Sequence, residues 1–148
     1  MTLISVVIPA YNNATTIAET VESVLDQAID GLELVVADHS STDATVAALA
    51  PYLDRPCVRL LHTEAGGGAA RNWNRVTEAA TGEFVKLVCG DDVLRPGAIA
   101  AQLEAIVSTP TAVMVGGRRD ILDARGEILI AGRGLGDLVG THQGRTAI

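Results

Sequence analysis

Cysteine is scarce in this chain: there are two in 148 residues, Cys57 and Cys89. They lie far apart in separate apolar runs, without the paired spacing of a zinc site, so both are expected to be reduced residues of the core. Basic residues are few as well. Eleven Lys and Arg, scattered along the chain, stand against eighteen Asp and Glu, a formal net charge of −7. That balance excludes nucleic acid as a partner, because binding it draws on clustered cations. A phosphate compound bound here needs something else to offset its charge. Long apolar runs are also missing. The first, residues 3–8, stops at Pro9 and has no basic flanks, which is too short for a membrane span or a secretory leader. A cytoplasmic location with no integral membrane segment is expected, either free or peripheral to the inner face of the membrane.

Several catalytic signatures are absent. No Gly-x-Ser-x-Gly elbow supports a serine nucleophile, and Gly66-Gly67-Gly68 has neither the dinucleotide pattern nor the Lys-Ser/Thr ending of a P-loop. His62 ends an apolar run and His142 sits in a glycine-rich tail, neither with a partner at triad or ligand spacing.

What is present is one domain's length of chain, 48% hydrophobic and 20% charged, with the apolar residues spread throughout. Residues 3–8 read as a β-branched strand. Thr16 and Glu19 then form a capping-box start for a helix whose stripe is Ile17, Val21, Val24, Leu25 and Ala28. A second strand, 32–37, leads into the cap-rich segment from Asp38 to Asp43 and a helix carrying Val46, Leu49, Ala50 and Leu53. A third strand, 57–62, precedes the glycine turn and a helix over 69–80, with Trp73, Val76 and Ala80 assigned to its core stripe. Gly82 stops it. A fourth strand, 83–89, gives way to Gly90-Asp91-Asp92, and Pro96 opens a helix with Ile99, Leu103, Ile106 and Val107 inward. Residues 112–116 read as a fifth strand, and 119–122 with 127–131 as a hairpin of unfixed register.

This alternation predicts an α/β fold: a mostly parallel sheet with helices on both faces and right-handed crossovers. Ligands of such sheets bind outside the carboxyl ends of the strands, where Asp38, Asp91 and Asp92 fall. Adjacent carboxylates repel unless solvent or a cation screens them, so Asp91 and Asp92 suit a hard divalent ion. They equally suit a turn before a helix. Asp38 can cap backbone N–H groups or accept from a ligand, Tyr11 can stack on a base or be an ordinary loop residue, and Arg71 can reach a phosphate or share a solvated face with Asn72, Asn74, Arg75 and Glu78.

Several segments, in this order, resemble glycosyltransferase family 2, the inverting family with the GT-A (Rossmann-like) fold. They are Ser5-Val6-Val7-Ile8-Pro9-Ala10-Tyr11-Asn12, Asp38-His39-Ser40-Ser41-Thr42-Asp43, Ala70-Arg71-Asn72, Thr81-Gly82-Glu83-Phe84-Val85, Gly90-Asp91-Asp92 and Leu94-Arg95-Pro96-Gly97. The resemblance implies that Pro9, Ala10 and Tyr11 line a nucleotide pocket, that Asp38 lies against the base or ribose, and that Arg71 contacts the donor. It implies that Asp91 faces the ribose or sugar while Asp92, with Asp91, holds Mn²⁺ or Mg²⁺ on the diphosphate. His39 belongs to the same nucleotide-sugar-binding set, but stands where the family often has Asp or Asn. Gly90 marks the reduced x-Asp-Asp form of the metal motif.

The implied activity is metal-dependent, inverting transfer of a sugar from a nucleotide diphosphate sugar, UDP-sugar favoured, to a glycan, lipid or small-molecule hydroxyl. A non-catalytic nucleotide-sugar-binding or scaffolding module and a sugar nucleotidyltransferase are the alternatives. The latter calls for a Gly-rich, Arg-containing loop where this chain has Pro9-Ala10-Tyr11-Asn12. Residues 1–148 are expected to be a single GT-A-type domain, truncated at the C-terminus, with a donor-binding core over 1–117 and a hairpin and glycine-rich tail over 118–148. A homo-oligomer is compatible with this reading. Transfer also needs an acidic general base. Asp120, Asp123 and Asp137 are candidates by acidity alone.

Overall fold

A computed structural model of the chain describes residues 3–134 and 139–143. The chain divides into two units, Met1–Ala98 and Ile99–Ile148. In the first, strands β1 (Ile4–Ala10), β2 (Leu32–Asp38), β3 (Val58–His62) and β4 (Phe84–Leu87) form one parallel sheet in the order β3-β2-β1-β4. Helices α1 (Ile17–Leu25), α2 (Thr45–Leu49) and α3 (Gly68–Glu78) connect them, with a single 3-10 turn at Ala50–Tyr52.

β1 reads as an unbroken apolar run because it is central and every one of its residues is buried. Its register runs from Ile4 beside Leu32 to Ala10 beside Asp38 on one side, and from Ile4 beside Phe84 to Val7 beside Leu87 on the other. The chain steps from β1 to β2 to β3 in one direction and then returns to β4 on the far side of β1. Right-handed crossovers therefore put α1 and α2 on one face and α3 on the other. α3 contributes Val76 to a core cluster with Val7, Val35 and Ala37, against which Leu61, Ala79 and Ala80 pack. The alternate residues Val6, Ile8, Leu34 and Val36 are buried on the opposite face, and Ile17, Val21, Val24 and Leu49 are the buried apolar residues of α1 and α2.

The second unit holds most of α4 (Ala98–Val107), which begins at its boundary, and an antiparallel hairpin of β5 (Arg119–Leu122) and β6 (Ile128–Arg133). The hairpin's register, open in the sequence, is Arg119 beside Arg133, Ile121 beside Ile130 and Leu122 beside Ile128, with irregularities between. Asp123 fixes its turn by accepting from the N–H groups of Arg125 and Glu127 at 2.8 and 2.9 Å.

Several local expectations are corrected. Residues 112–116 form no strand: no partner strand pairs with them among the described residues, and Val113 is 98% exposed. Trp73 is not in the core. It is 43% exposed, and the inward face of α3 is centred on Asn72 and Val76, four residues apart on one helical row. α1 ends at Leu25, and Ala28 beyond it turns with a φ of 49°. Leu53 and Val107 are exposed, and Pro96 lies in a turn just before α4. Both cysteines are half-buried. The expected capping box does not form, because the Thr16 hydroxyl has another partner.

Candidate functional site

The carboxyl ends of β1, β2 and β4 carry the loops of interest, and the first two are sewn together. Asn12, in the left-handed region with a φ of 53°, donates its backbone N–H to Ser41 Oγ at 3.0 Å and accepts from Thr42 N–H at 2.9 Å. Asn13 N–H donates to Thr45 Oγ1 at 2.8 Å, and Ala14 N–H to Asp43 Oδ2 at 3.1 Å. The Thr45 hydroxyl and N–H also donate to Asp43. The Thr45 side-chain hydrogen bond is the main cause of the lowered Asp43 pKa and, with backbone donors, outweighs desolvation. Pro9 and Ala10, at the end of β1, are buried, which leaves Tyr11 as the exposed residue of the three.

Asp38, the last residue of β2, is 3% exposed. Its Oδ2 caps Ser41 N–H at 3.2 Å, whereas its Oδ1 is buried without any hydrogen-bond partner. A buried acceptor left unmade costs about 1–3 kcal/mol, so this oxygen is suited to a donor that arrives from outside. His39 follows at 8% exposed, its ring edge-on to Tyr11 with centroids 6.2 Å apart. Its Nδ1 meets Thr63 Oγ1 at 3.1 Å, and Thr63 in turn meets Asn72 Oδ1 at 3.0 Å. The amide of Asn72, 2% exposed, donates to Ala37 O at 3.0 Å. Asn72, expected on a solvated face of α3, is instead buried, and neither it nor Thr63 carries a sequence signal for this network.

Across β1, the loop after β4 is braced from two directions. The Thr16 hydroxyl donates to Gly90 O at 2.8 Å, and the Asn13 side chain lies against Gly90 so closely that a Cβ there would meet Asn13 Oδ1 at 2.8 Å. Gly90 is thus a packing requirement. Asp91 and Asp92 are exposed, and their carboxylates and Cys89 Sγ offer ligand atoms within 4.8 Å of one another. Two hard oxygens in this setting fit Mn²⁺ or Mg²⁺, which needs one or two carboxylates and fills the rest of its shell with water and phosphate. Burial pushes the Cys89 thiol pKa up, and the charges of Asp92 and Asp91 push it further, so the thiol is held neutral. Burial lowers the Lys86 pKa, and the Asp92 carboxylate partly restores it.

Arg71 is exposed on α3, its stem packed where a Cβ on Gly67 would lie. Asp120 accepts Gly132 N–H at 2.7 Å and Asp123 holds its own turn; Asp137 lies outside the described residues. A cavity of about 260 Å³ lies elsewhere, lined by residues such as Glu19, Glu22, Asp26 and Leu94, and contains none of the residues above. The candidate site is instead the carboxyl-end edge of the parallel sheet, where α/β sheets of this kind bind ligands.

A parallel Rossmann-like sheet of this order is the GT-A fold of nucleotide-sugar glycosyltransferases. The family model described as Glycosyl transferase family 2 matches residues 5–139, and the chain belongs to that family. It is 32% identical over 115 residues to the glycosyltransferase GlyG of Streptococcus pneumoniae, covering 77% of this chain and 38% of that one. Its structure is similar to that of S. aureus TarS in complex with UDP-GlcNAc, with a TM-score of 0.67 and 28% identity over 72% of this chain and 31% of that one. It is also similar to the mannosyltransferase PcManGT of Pyrobaculum calidifontis in complex with GDP-Man and Mn²⁺, with a TM-score of 0.64 and 27% identity over 82% and 36% of the two chains. The chain spans about a third of the length of the curated relatives it matches. Among the described residues, no helix is long and apolar enough to cross a membrane.

Proposed function

We propose that this chain is the donor-binding part of a metal-dependent, inverting glycosyltransferase that takes a nucleotide diphosphate sugar, UDP-sugar favoured. The observation that carries the reading is the buried, unpartnered Oδ1 of Asp38 at the end of β2, a fixed acceptor for a base or ribose donor. The exposed Asp91 and Asp92 stand after β4, on the other side of β1. The bound nucleotide of TarS and the bound Mn²⁺ of PcManGT support the same assignment.

In this reading Tyr11 and His39 flank the nucleoside, with Arg71 available to the donor. Asp92, aided by Asp91, holds the cation, which when bound offsets negative charge on the departing nucleoside diphosphate. Asp91 additionally faces the ribose or sugar. An acceptor hydroxyl of a glycan, lipid or small molecule attacks the anomeric carbon in one in-line displacement, inverting it.

Calorimetry with Mn²⁺ and UDP on the wild type, Asp38→Ala and Asp92→Ala tests the assignment. Metal-dependent binding is expected to weaken at least about tenfold in each variant, the loss of one charged hydrogen bond or ligand. Undiminished metal-dependent binding in Asp92→Ala refutes the metal site.

A further inference from the structure

The hairpin of β5 and β6 leaves apolar side chains in the open. Leu122, Ile128, Leu129 and Ile130 are between 45 and 65% exposed, and the two-stranded sheet gains no third strand among the described residues. A lone two-stranded hairpin is marginal in water, and an apolar edge strand is a template for pairing with another strand. β6 is such an edge.

The hairpin's charges are unevenly placed. Arg119 and Arg133 stand directly opposite each other at its open end, a like-charged pair that destabilises an isolated ribbon, and Arg118 lies alongside Gly132 and Gly134. Asp120 is the acidic residue there, and its carboxylate takes Gly132 N–H. Among the described residues no ion pair is formed by Arg119 or Arg133. The turn end carries Asp123 and Glu127 around Arg125. The two ends are therefore opposite in net charge.

β6 and its preceding residue, Glu127-Ile128-Leu129-Ile130-Ala131-Gly132-Arg133, complement themselves when two copies run antiparallel about Ile130. Glu127 of each copy then faces Arg133 of the other, Ile128 faces Gly132, Leu129 faces Ala131, and the two Ile130 residues meet on the twofold axis. Ile128 and Leu129 are each set against a small residue, and each Arg133 gains a carboxylate on the side away from Arg119. Gly132, with a φ of 64°, bends the end of the strand, but its N–H is already satisfied by Asp120. Centring the pairing on Leu129 instead sets Arg125 against Arg133, so charge selects the register about Ile130.

We infer that β6 is a self-association surface, on which a second copy of this chain adds its own β6 to give a four-stranded sheet in the order β5-β6-β6-β5. The interface is isologous, with each contact made twice. None of the donor-site residues takes part, so this inference stands apart from nucleotide binding.

Sedimentation equilibrium of the full chain, from micromolar to submillimolar concentration, is expected to show reversible exchange between monomer and dimer. In Ile130→Lys two ammonium groups meet on the axis, and a monomer is expected throughout. Glu127→Arg and Arg133→Glu are each expected to weaken the dimer about tenfold or more, because two opposite-charge pairs become like-charge pairs. The double variant E127R/R133E should return to within a few fold of wild type, a rescue that misfolding would not allow. Ile130→Cys should oxidise to an intermolecular disulfide, since directly opposed Cβ atoms lie about 4.5–5.5 Å apart, whereas Leu122→Cys on β5 should not. A chain that stays monomeric at the highest concentration, a dimer that survives Ile130→Lys, or charge reversals that the double variant fails to rescue would each overturn the inference.

Discussion

The hydroxyl of Thr16 donates to the carbonyl of Gly90 at 2.8 Å, joining residues 74 positions apart. It ties the start of α1 to the turn bearing Asp91 and Asp92. Thr16→Val keeps the shape and leaves a part-buried carbonyl unpaired, so about 1 kcal/mol of stability is expected to be lost in urea unfolding. Mn²⁺-dependent UDP binding should weaken severalfold, and Thr16→Ser should restore both. Normal binding in Thr16→Val would remove this contact from the support of the acidic turn.

Gly90 itself allows no side chain. An added methyl would meet the Asn13 amide at 2.8 and 2.9 Å and Ile17 Cδ1 at 3.3 Å. Asn13 cannot yield cheaply, because its Oδ1 accepts Tyr11 N–H at 2.9 Å. Gly90→Ala is expected to cost about 1–3 kcal/mol, in the range of overpacked sites, and to weaken nucleotide and metal binding together. Chemical denaturation and calorimetry on the same preparation measure both.

At the opposite end of the sheet, Glu33 anchors β2 to its neighbours. Burial pushes its pKa up, but hydrogen bonds from Ser5, Thr81 N–H and Thr81 Oγ1, with the Arg59 charge, bring the net shift below the ordinary glutamate value. A depressed carboxylate stabilises the fold fully above its unfolded pKa, and that contribution fades as pH falls through the folded one. Glu33→Gln is expected to cost about 1–2 kcal/mol near neutrality, and the gap from wild type should close in acid. A gap independent of pH would show that the charge is irrelevant.

Lys86 points the other way. It sits beside Val6 in the sheet, and its ammonium is disfavoured by burial more than Asp92 favours it. That penalty is complete below the lowered folded pKa and is relieved as pH rises toward the unfolded one. Lys86→Met is expected to raise Tm by about 2–4 °C near neutrality, the shift that about 1 kcal/mol produces in a chain of this size. The gain should diminish in alkali. Mn²⁺ binding should tighten a few fold, because Asp92 loses a nearby competing cation; weaker binding would mean that Lys86 assists the site.

The strands β1 to β4 were legible because central parallel strands must be apolar on both faces, and the periodicity of α1 and α3 marked the connections. The placement of Asp38, Asp91 and Asp92 at one end of the sheet was legible too, since in a parallel sheet every strand's carboxyl end lies on the same side. Other features depended on contacts that spacing does not encode. Asn72 reads as one of several polar residues on a helix until Ala37 O, 35 positions away, is seen to need a donor. Cys89 reads as core because its run is apolar, although its sulfur turns toward the two carboxylates. Residues 112–116 have a strand's composition, but composition cannot supply a pairing partner. Trp73 carries the bulk expected of a core residue, yet a helix rotation of one position assigned that face to Asn72.

The central position of β1 has a consequence for how its two flanking loops respond to change. Asp38 and His39 are anchored on one neighbour of β1, and Asp91 and Asp92 follow the other. Asn13 reaches both, its N–H bound to Thr45 after β2 and its side chain packed on Gly90 after β4, so a change at either loop is passed to the other through a single residue of the β1 loop.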